Sequence, residues 1–291
     1  MHFSGVYTAL VTPFNADGSI DEGALKELVE SQIQGGVSGL VPMGTTGESA
    51  TLSHEEHLHA IDLVIRQANK RVKVIAGTGS NSTQEAIDMT RQAAEMGADA
   101  SLQVAPYYNK PGQAGFFSHF SAVADAVEIP HILYNIPGRC AQNVSAETIL
   151  KLAEHPNIAG VKEASGSIPQ LMDILASKPE HFDVMAGDDA WAFPLISLGG
   201  TGVVSVASNV IPAEMSRLAE LTLAGKTEEA RDAHYALLPF FKSLFVETNP
   251  VPVKFVMAEQ GRMREIYRLP MVPLTDESKR TVREVMASMG L

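Results

Sequence analysis

Short apolar runs alternate with longer amphipathic segments along most of the chain. Side chains repeat every 2 residues in a strand and every 3.6 in a helix, so the short runs predict strands and the long segments helices. The predicted strands are Val6–Thr12, Gly39–Met43, Val72–Ala76, Ala100–Ala105, His131–Tyr134, Ile158–Lys162, Phe182–Ala186 and Gly202–Val206. Predicted helices between them include Glu22–Gln34, Glu55–Gln67, Gln84–Glu95 and Ala146–Glu154. Eight alternating units favour an α/β fold, a closed (β/α)₈ TIM barrel.

The alternation stops after Gly225. Glu228–Glu247, a stretch from about Pro252, and Asp276–Met289 are helical by pattern, and no predicted strand separates them. The sequence therefore predicts a barrel over residues 1–224 and a C-terminal helical region over residues 225–291. No linker or low-complexity segment divides the two.

Capping residues mark several helix ends. Ser53 with Glu56, and Ser82 with Glu85, fit the capping box, in which each side chain bonds the backbone of the other residue. Gly97 is typical of a residue that ends a helix.

Composition narrows the function. The chain has 291 residues, 45% of them hydrophobic, which suits one large domain or two modest ones. Its 22 basic and 34 acidic residues give a net charge of −12, which disfavours a nucleic acid or an anionic membrane as partner. No apolar run approaches the ~18 residues of a membrane span, and the start does not resemble a signal peptide. The single cysteine, Cys140, fits a reducing compartment. We expect a soluble, cytoplasmic protein.

Lys162 ends an otherwise apolar strand, an unusual place for a charged side chain. A free ammonium has a pKa near 10.4, but burial in an apolar site lowers it and favours the neutral, nucleophilic amine. Alternation predicts that Ile158, Gly160 and Lys162 share one face and that Val161 and Glu163 share the other. Glu163 would then not pair with Lys162. The alternative is a structural lysine whose stem packs while its head reaches water.

Other polar groups follow the predicted strands at their carboxyl ends, where a (β/α)₈ enzyme has its site. They lie in the segments Gly44–Ser49, Pro106–Pro111, Tyr134–Arg139 and Gly187–Asp189. If the barrel forms, an amine, phenols, threonine hydroxyls and a guanidinium meet at one mouth. That set suits imine chemistry on a small oxo acid. Each segment alone is also consistent with an ordinary turn, or with aromatic side chains that only cover the mouth of the barrel.

No cofactor and no metal site is predicted. Three segments approach known motifs, but each lacks a required residue. Ser82 stands where a dinucleotide fingerprint needs its third glycine, Glu220 where a phosphate loop needs its first, and Leu58 where a zinc-protease helix needs its second histidine.

The sequence also resembles a known family. The segments Gly44–Glu48, Tyr134–Pro137 and Val161–Ala164 are similar to signature segments of the pyruvate-dependent class I aldolases, the family that includes N-acetylneuraminate lyase. The similarity runs almost end to end, through Asn249–Lys254 and Arg268–Pro270.

Within that family, Arg139 and the Pro106–Asn109 segment resemble the dihydrodipicolinate synthase branch. The sugar-acid lyases are not expected to carry that arginine. One departure is visible, because Cys140-Ala141 follow the arginine where the family usually has Thr-Gly. This departure leaves the shape of the loop around Arg139 open.

The resemblance implies catalytic roles. Lys162 would form a Schiff base with pyruvate, and Thr45 and Thr46 would seat the pyruvate carboxylate. Tyr134 would relay protons through the Thr45 hydroxyl to Tyr108 of a neighbouring subunit. The assembly implied is a homotetramer, a dimer of dimers.

The resemblance also implies the substrates and an inhibitor. Arg139 would hold the carboxylate of L-aspartate 4-semialdehyde, and Gly187 and Val204 would line the pyruvate pocket. The expected product is 4-hydroxy-tetrahydrodipicolinate, on the route to lysine and diaminopimelate. L-lysine would inhibit at a separate site. The residues matching that site are Ser49, Ala50, His54, His57, Asn81, Glu85 and Tyr107.

Two other functions remain open from the sequence. One is a sibling reaction, such as cleavage of a 2-oxo-3-deoxy sugar acid or of N-acetylneuraminate, which Arg139 argues against. The other is a barrel that senses an oxo acid or lysine without turnover. Binding alone does not need a proton relay, so the set of Lys162, Tyr134, Thr45 and Arg139 disfavours that reading.

Overall fold

The computed structural model describes residues 2–291 and contains eight parallel strands that close into a barrel in chain order. The strands are β1 (Gly5–Ala9), β2 (Gly39–Val41), β3 (Lys73–Gly77), β4 (Ala100–Val104), β5 (His131–Asn135), β6 (Ile158–Glu163), β7 (Asp183–Ala186) and β8 (Gly202–Ser205). Each strand pairs with its neighbours in sequence, and β8 closes the barrel against β1. The predicted (β/α)₈ TIM barrel is confirmed.

Helices connect the strands and cover the barrel. They are α1 (Glu22–Gln34), α2 (His54–Ala68), α3 (Thr83–Met96), α4 (Gln113–Ala126), α5 (Pro137–Cys140), α6 (Ala146–Leu152), α7 (Ile168–Ser177), α8 (Ala192–Ser197), α9 (Pro212–Leu223), α10 (Thr227–Ser243), α11 (Val251–Glu259) and α12 (Asp276–Met289). Among residues 2–291, none of these helices combines the length and the apolar character needed to cross a bilayer.

The predicted caps form, with one difference. Ser53 and Glu56 make both halves of a capping box at the start of α2. At α3, Ser82 accepts a hydrogen bond from the backbone N–H of Glu85, but the reciprocal bond is missing. The Glu85 carboxylate instead accepts from Ser80 and lies 2.5 Å from Nε2 of His54. Glu85 is therefore directed towards α2.

The C-terminal helices share the core of the barrel. One apolar cluster contains strand residues such as Val6 and Val161 together with Phe240, Phe255 and Met286. The last helix, predicted over Asp276–Met289, has those bounds. The division at residue 225 remains a prediction, and this shared cluster argues that the helical region does not fold independently.

Strand β6 is irregular before Lys162. Ile158 packs outside the strands with the helix side chains, as Val161 does, whereas Ala159 packs inside the barrel. The register between β5 and β6 shifts at this point. The prediction that Ile158 shares a face with Lys162 is therefore wrong, because a bulge adds a residue and reverses the alternation. The prediction that Val161 and Lys162 lie on opposite faces of the strand is not affected by the bulge.

Candidate active site

Lys162 and Tyr134 are brought together by the pairing of β5 with β6. They are direct partners in the parallel register, and Nζ of Lys162 lies 4.0 Å from the centroid of the Tyr134 ring. Lys162 is only 6% exposed, and Tyr134 belongs to the cluster inside the barrel. Both lie at the carboxyl end of their strands, where (β/α)₈ enzymes have their sites.

Burial controls the ionisation of both groups. Burial lowers the pKa of Lys162 to about 7, and the Arg139 cation acts in the same direction, while Asp189 and Asp188 oppose it. Burial also raises the pKa of Tyr134 to about 12, against the opposing effects of Arg139 and of a hydrogen bond with the Thr45 side chain. At neutral pH the site thus holds a partly neutral amine beside a protonated phenol, a nucleophile with a proton donor.

The turn after β2 presents the two threonines. Thr45–Gly47 form one turn of 3₁₀ helix, and the Thr12 hydroxyl donates to the Gly47 carbonyl at 2.7 Å. Nδ2 of Asn249 donates to Oγ1 of Thr46 at 3.0 Å. Thr45 lines a cavity with Tyr134, whereas Thr46 is buried behind it.

That cavity, of about 450 Å³, extends from Thr45, Tyr134 and Arg139 to the space between α2 and α3. The candidate lysine-site residues that line it are Ser49, Ala50, His54, His57, Glu85 and Tyr107. Asn81 does not line it, but its Nδ2 donates to the Tyr107 carbonyl at 3.2 Å. Catalytic and lysine-site candidates therefore share one continuous space.

A second, smaller cavity of about 190 Å³ is lined in part by Ala164, Gly187 and Asp188, and Lys162 itself lines neither cavity. A Cβ atom at Gly187 would lie 2.6 Å from that of Ala164 and 3.2 Å from Cε of Lys162. Only glycine leaves the lysine stem undisturbed here. Val204 packs inside the barrel with Tyr134 and lines neither cavity.

The loop around Arg139 is a single helical turn, α5. Nη2 of Arg139 donates to the Asn249 carbonyl at 3.0 Å, which fixes the guanidinium at the mouth. The Cys140 thiol donates to the Ala105 carbonyl at 3.1 Å. Ala141 ends the turn with φ 57°, in the left-handed region.

Tyr108 is not brought to the site of its own chain. Its side chain is 90% exposed and lines neither cavity. The backbone at Tyr108 has φ 70°, in the left-handed region. The position of Tyr108 is compatible with a role in another subunit.

Four residues near the site were not singled out from the sequence as site residues. Asp189 is buried, with Oδ2 accepting from two backbone N–H groups and Oδ1 without a hydrogen-bond partner. Glu48, Asn249 and Lys254 join the threonine turn to α11. Sequence spacing gives no signal for these contacts, because they join parts of the chain about 200 residues apart.

Comparison with known proteins decides the family. The model of the dihydrodipicolinate synthetase family matches residues 2–289. The chain is 50% identical over 289 residues to a 4-hydroxy-tetrahydrodipicolinate synthase of Geotalea daltonii, covering 99% of both chains. The chain belongs to the dihydrodipicolinate synthetase family. Its members are lyase-type synthases, so the predicted resemblance and enzyme class are confirmed.

Solved structures of this family have the same fold. The enzyme of Cyanidioschyzon merolae, solved with lysine bound, is 44% identical with a TM-score of 0.97, over 99% of both chains. The enzyme of Acinetobacter baumannii, solved in complex with pyruvate, is 42% identical with a TM-score of 0.98, also over 99% of both chains.

Proposed function

We propose that this chain condenses pyruvate with L-aspartate 4-semialdehyde through a Schiff base on Lys162, the reaction of a 4-hydroxy-tetrahydrodipicolinate synthase. The observation that carries the proposal is a buried lysine, with a pKa lowered to about 7, directly against a tyrosine ring. The names of the relatives support the same reaction. A single buried cysteine is consistent with the reducing cytoplasm.

The chemistry follows from the neutral amine. Lys162 attacks the ketone of pyruvate, and loss of water leaves a protonated imine. This cation withdraws electrons, so a methyl proton leaves and an enamine forms. The enamine carbon attacks the aldehyde, and the amine of the aldehyde substrate then displaces Lys162 as the ring closes. Thr45 and Thr46 would seat the pyruvate carboxylate, and Arg139 the carboxylate of the semialdehyde.

Each of these steps moves a proton, and Tyr134, whose ring centroid lies 4.0 Å from Nζ of Lys162, is placed to do so. Burial raises the pKa of its phenol to about 12, so it stays protonated, and it lines the same cavity as Thr45, through whose hydroxyl it would exchange protons. In the proposal, Tyr108 of a neighbouring subunit continues the relay. Gly187 would leave space for pyruvate beside the lysine, and Val204 would close the inner side of the pocket.

Exposed apolar side chains support a homotetramer arranged as a dimer of dimers. One set surrounds the cavity mouth, and another lies on α7 and α10 and just after the end of α8. The first contains Tyr107, Tyr108, Leu269 and Val272, and the second Ile168, Met172, Leu198 and Tyr235. Such patches on a soluble chain are typical of interfaces. Sedimentation should give four chains, and charged substitutions in one set only should give dimers.

We further propose that L-lysine inhibits by binding in the larger cavity. Glu85 offers a carboxylate to an ammonium group, and His54 and His57 lie one turn apart on α2. The cavity continues to Tyr134, so a ligand there can disturb the proton relay. In a lysine titration, Glu85→Ala and His57→Ala should weaken inhibition by about tenfold or more, a typical coupling between sites. Inhibition undiminished in both variants would contradict this site.

The reaction itself is tested by pyruvate consumption with a panel of aldehydes. L-aspartate 4-semialdehyde should be the preferred partner, and Arg139→Ala should raise its KM more than that of pyruvate. Preference for a sugar aldehyde would favour the sugar-acid lyase reaction instead. Binding of pyruvate without turnover of any aldehyde would favour a sensing barrel.

A further inference from the structure

The turn that carries the two candidate threonines is joined to the C-terminal region by a buried ion pair. Glu48 directly follows Thr45-Thr46-Gly47 and has φ 57° and ψ 32°, in the left-handed region. A residue other than glycine keeps that conformation only where its surroundings hold it. The side chain of Glu48 reaches away from the turn to the residues that do so.

Lys254 of α11 is the first of these residues. Its Nζ lies 2.5 Å from Oε1 of Glu48, and the two side chains are 0% and 1% exposed. The same nitrogen faces the rings of Phe14 and Tyr267, at 4.4 and 5.3 Å from their centroids. The backbone N–H of Arg268 donates to Oε2 of Glu48 at 3.1 Å. Both carboxylate oxygens are thus fixed by the C-terminal region.

Two further contacts start from the residues just before α11. Asn249 donates to the Thr46 hydroxyl at 3.0 Å, and its carbonyl accepts from Arg139 at 3.0 Å. The region from Asn249 to Lys254 therefore contacts the threonine turn and the candidate semialdehyde ligand together.

Stability alone does not account for the ion pair. Removing two charges from water costs more free energy than burying an apolar pair of similar volume. A buried ion pair therefore seldom stabilises a fold more than such an apolar pair would. A buried pair does restrict geometry, because each charge tolerates only a position where the other satisfies it. Here the restricted residue is the one that ends the threonine turn.

We infer that Lys254 and Glu48 are positioning residues that hold the Thr45-Thr46 turn in the geometry that binds the pyruvate carboxylate. They act through the backbone of the turn: Glu48 lines the larger cavity, but both oxygens of its carboxylate are held by Lys254 and by the backbone N–H of Arg268. The inference rests on the proposed function, since it assigns the turn to pyruvate. It explains why α11 is tied to the barrel at this point.

The test compares steady-state constants for pyruvate in Lys254→Met and Glu48→Gln. Each variant leaves one buried charge unpaired, so the turn loosens while the amine of Lys162 is unchanged. The KM for pyruvate should rise about tenfold with kcat within about threefold of wild type, the pattern of lost substrate binding. The double variant has neither charge and keeps an acceptor for the Arg268 N–H, so its KM should lie closer to wild type than either single variant.

Arg283→Met is the matched control. It breaks an ion pair at 2.7 Å between Arg283 and Glu259, which also anchors α11 but lies at the far end of that helix. Its pyruvate KM should stay at the wild-type value. Circular dichroism and thermal unfolding establish that each variant is folded. If neither single variant folds, Lys254→Arg, which keeps the positive charge but replaces the compact ammonium by a larger planar guanidinium, must show the same loss specific to KM.

Two results separate the possible failures. A wild-type protein without condensation activity would overturn both the proposed function and this inference. An active wild type with folded single variants whose pyruvate KM matches that of Arg283→Met would overturn the positioning role alone.

Discussion

Lys162 and Tyr134 face each other across neighbouring parallel strands, with the lysine nitrogen 4.0 Å from the centroid of the phenol ring. The face of an aromatic ring attracts a cation, so Tyr134 favours positive charge at this nitrogen. Burial acts in the opposite direction and dominates, because the pKa of Lys162 falls to about 7. The free amine is thus neutral often enough to attack pyruvate, and the protonated imine that follows still meets the ring.

Asp189 adjusts this balance. Its charge raises the pKa of Lys162 against the effect of burial, and its own pKa is raised to about 6, so it is mostly ionised at pH 7. Asp189→Asn keeps the shape and removes the charge. The pKa of Lys162 should fall further, so imine formation with pyruvate should reach half its maximal rate at a pH about one unit lower. A midpoint that stays in place or moves to higher pH would show that Asp189 does not act on Lys162.

Tyr108 should complete the site of a neighbouring subunit. Tyr108→Phe and Lys162→Ala chains should each be nearly inactive alone. After mixing and reassembly, some sites contain both intact residues, so about a quarter or less of the activity should return, as expected for shared sites in symmetric oligomers. Hybrids verified by mass spectrometry that recover no activity would count against a shared site. As a control, each variant is mixed with a second sample of itself and reassembled in the same way.

Ala141 should limit stability at the loop after Arg139. Its φ of 57° costs a residue other than glycine about 1–2 kcal/mol. Glycine avoids this cost, but its unfolded chain has more conformational freedom, and that freedom offsets part of the gain in stability. Ala141→Gly should therefore raise the free energy of unfolding by about 0.5–1 kcal/mol in urea. The matched reverse change is Gly97→Ala, at φ 99°, where a Cβ atom would meet only Nζ of Lys70, at 3.9 Å; it should destabilise by about 1 kcal/mol. If both variants changed the free energy of unfolding in the same direction and by the same amount, the conformational explanation would be contradicted.

His131 should make the fold sensitive to acid. Its Nε2 lies 2.9 Å from the Val127 carbonyl and Nδ1 2.8 Å from the Ser101 hydroxyl, which suits a neutral ring. Burial lowers the pKa of His131 to about 4. Between its ordinary pKa near 6.5 and about 4, the unfolded chain binds a proton that the folded chain does not, so stability falls as pH falls.

At pH 5 this single histidine accounts for about 2 kcal/mol of lost unfolding free energy. His131→Leu should be less stable than wild type at pH 7, but its further loss between pH 7 and 5 should be smaller by about that amount. Urea unfolding at the two pH values measures the difference. An identical loss in both proteins would show that His131 does not titrate in this window.

Much of the barrel could be predicted from local pattern. Alternating apolar runs gave all eight strands, and α1 begins at Glu22 and ends at Gln34 as predicted. The bulge that separates Ile158 from Lys162 could not be predicted, because it depends on the register with β5 and leaves no mark in β6 alone.

The site was predictable only in part for a similar reason. The placement of Lys162 followed from its position at a strand end, and its burial against Tyr134 agrees with that expectation. The link between Glu48 and Lys254 spans 206 residues, and no periodicity relates them. The exposure of Tyr108 depends on a loop conformation with positive φ, for which the tyrosine itself gives no signal.

The most direct test of the imine mechanism is the mass of the intact protein after borohydride reduction with pyruvate. Wild-type protein should gain one reduced three-carbon adduct, and peptide mapping should place it on Lys162. Lys162→Ala should gain none, while Tyr134→Phe should still form the adduct more slowly, because it retains the amine and loses a proton donor. No adduct on the wild type, or an adduct that persists in Lys162→Ala, would contradict the mechanism.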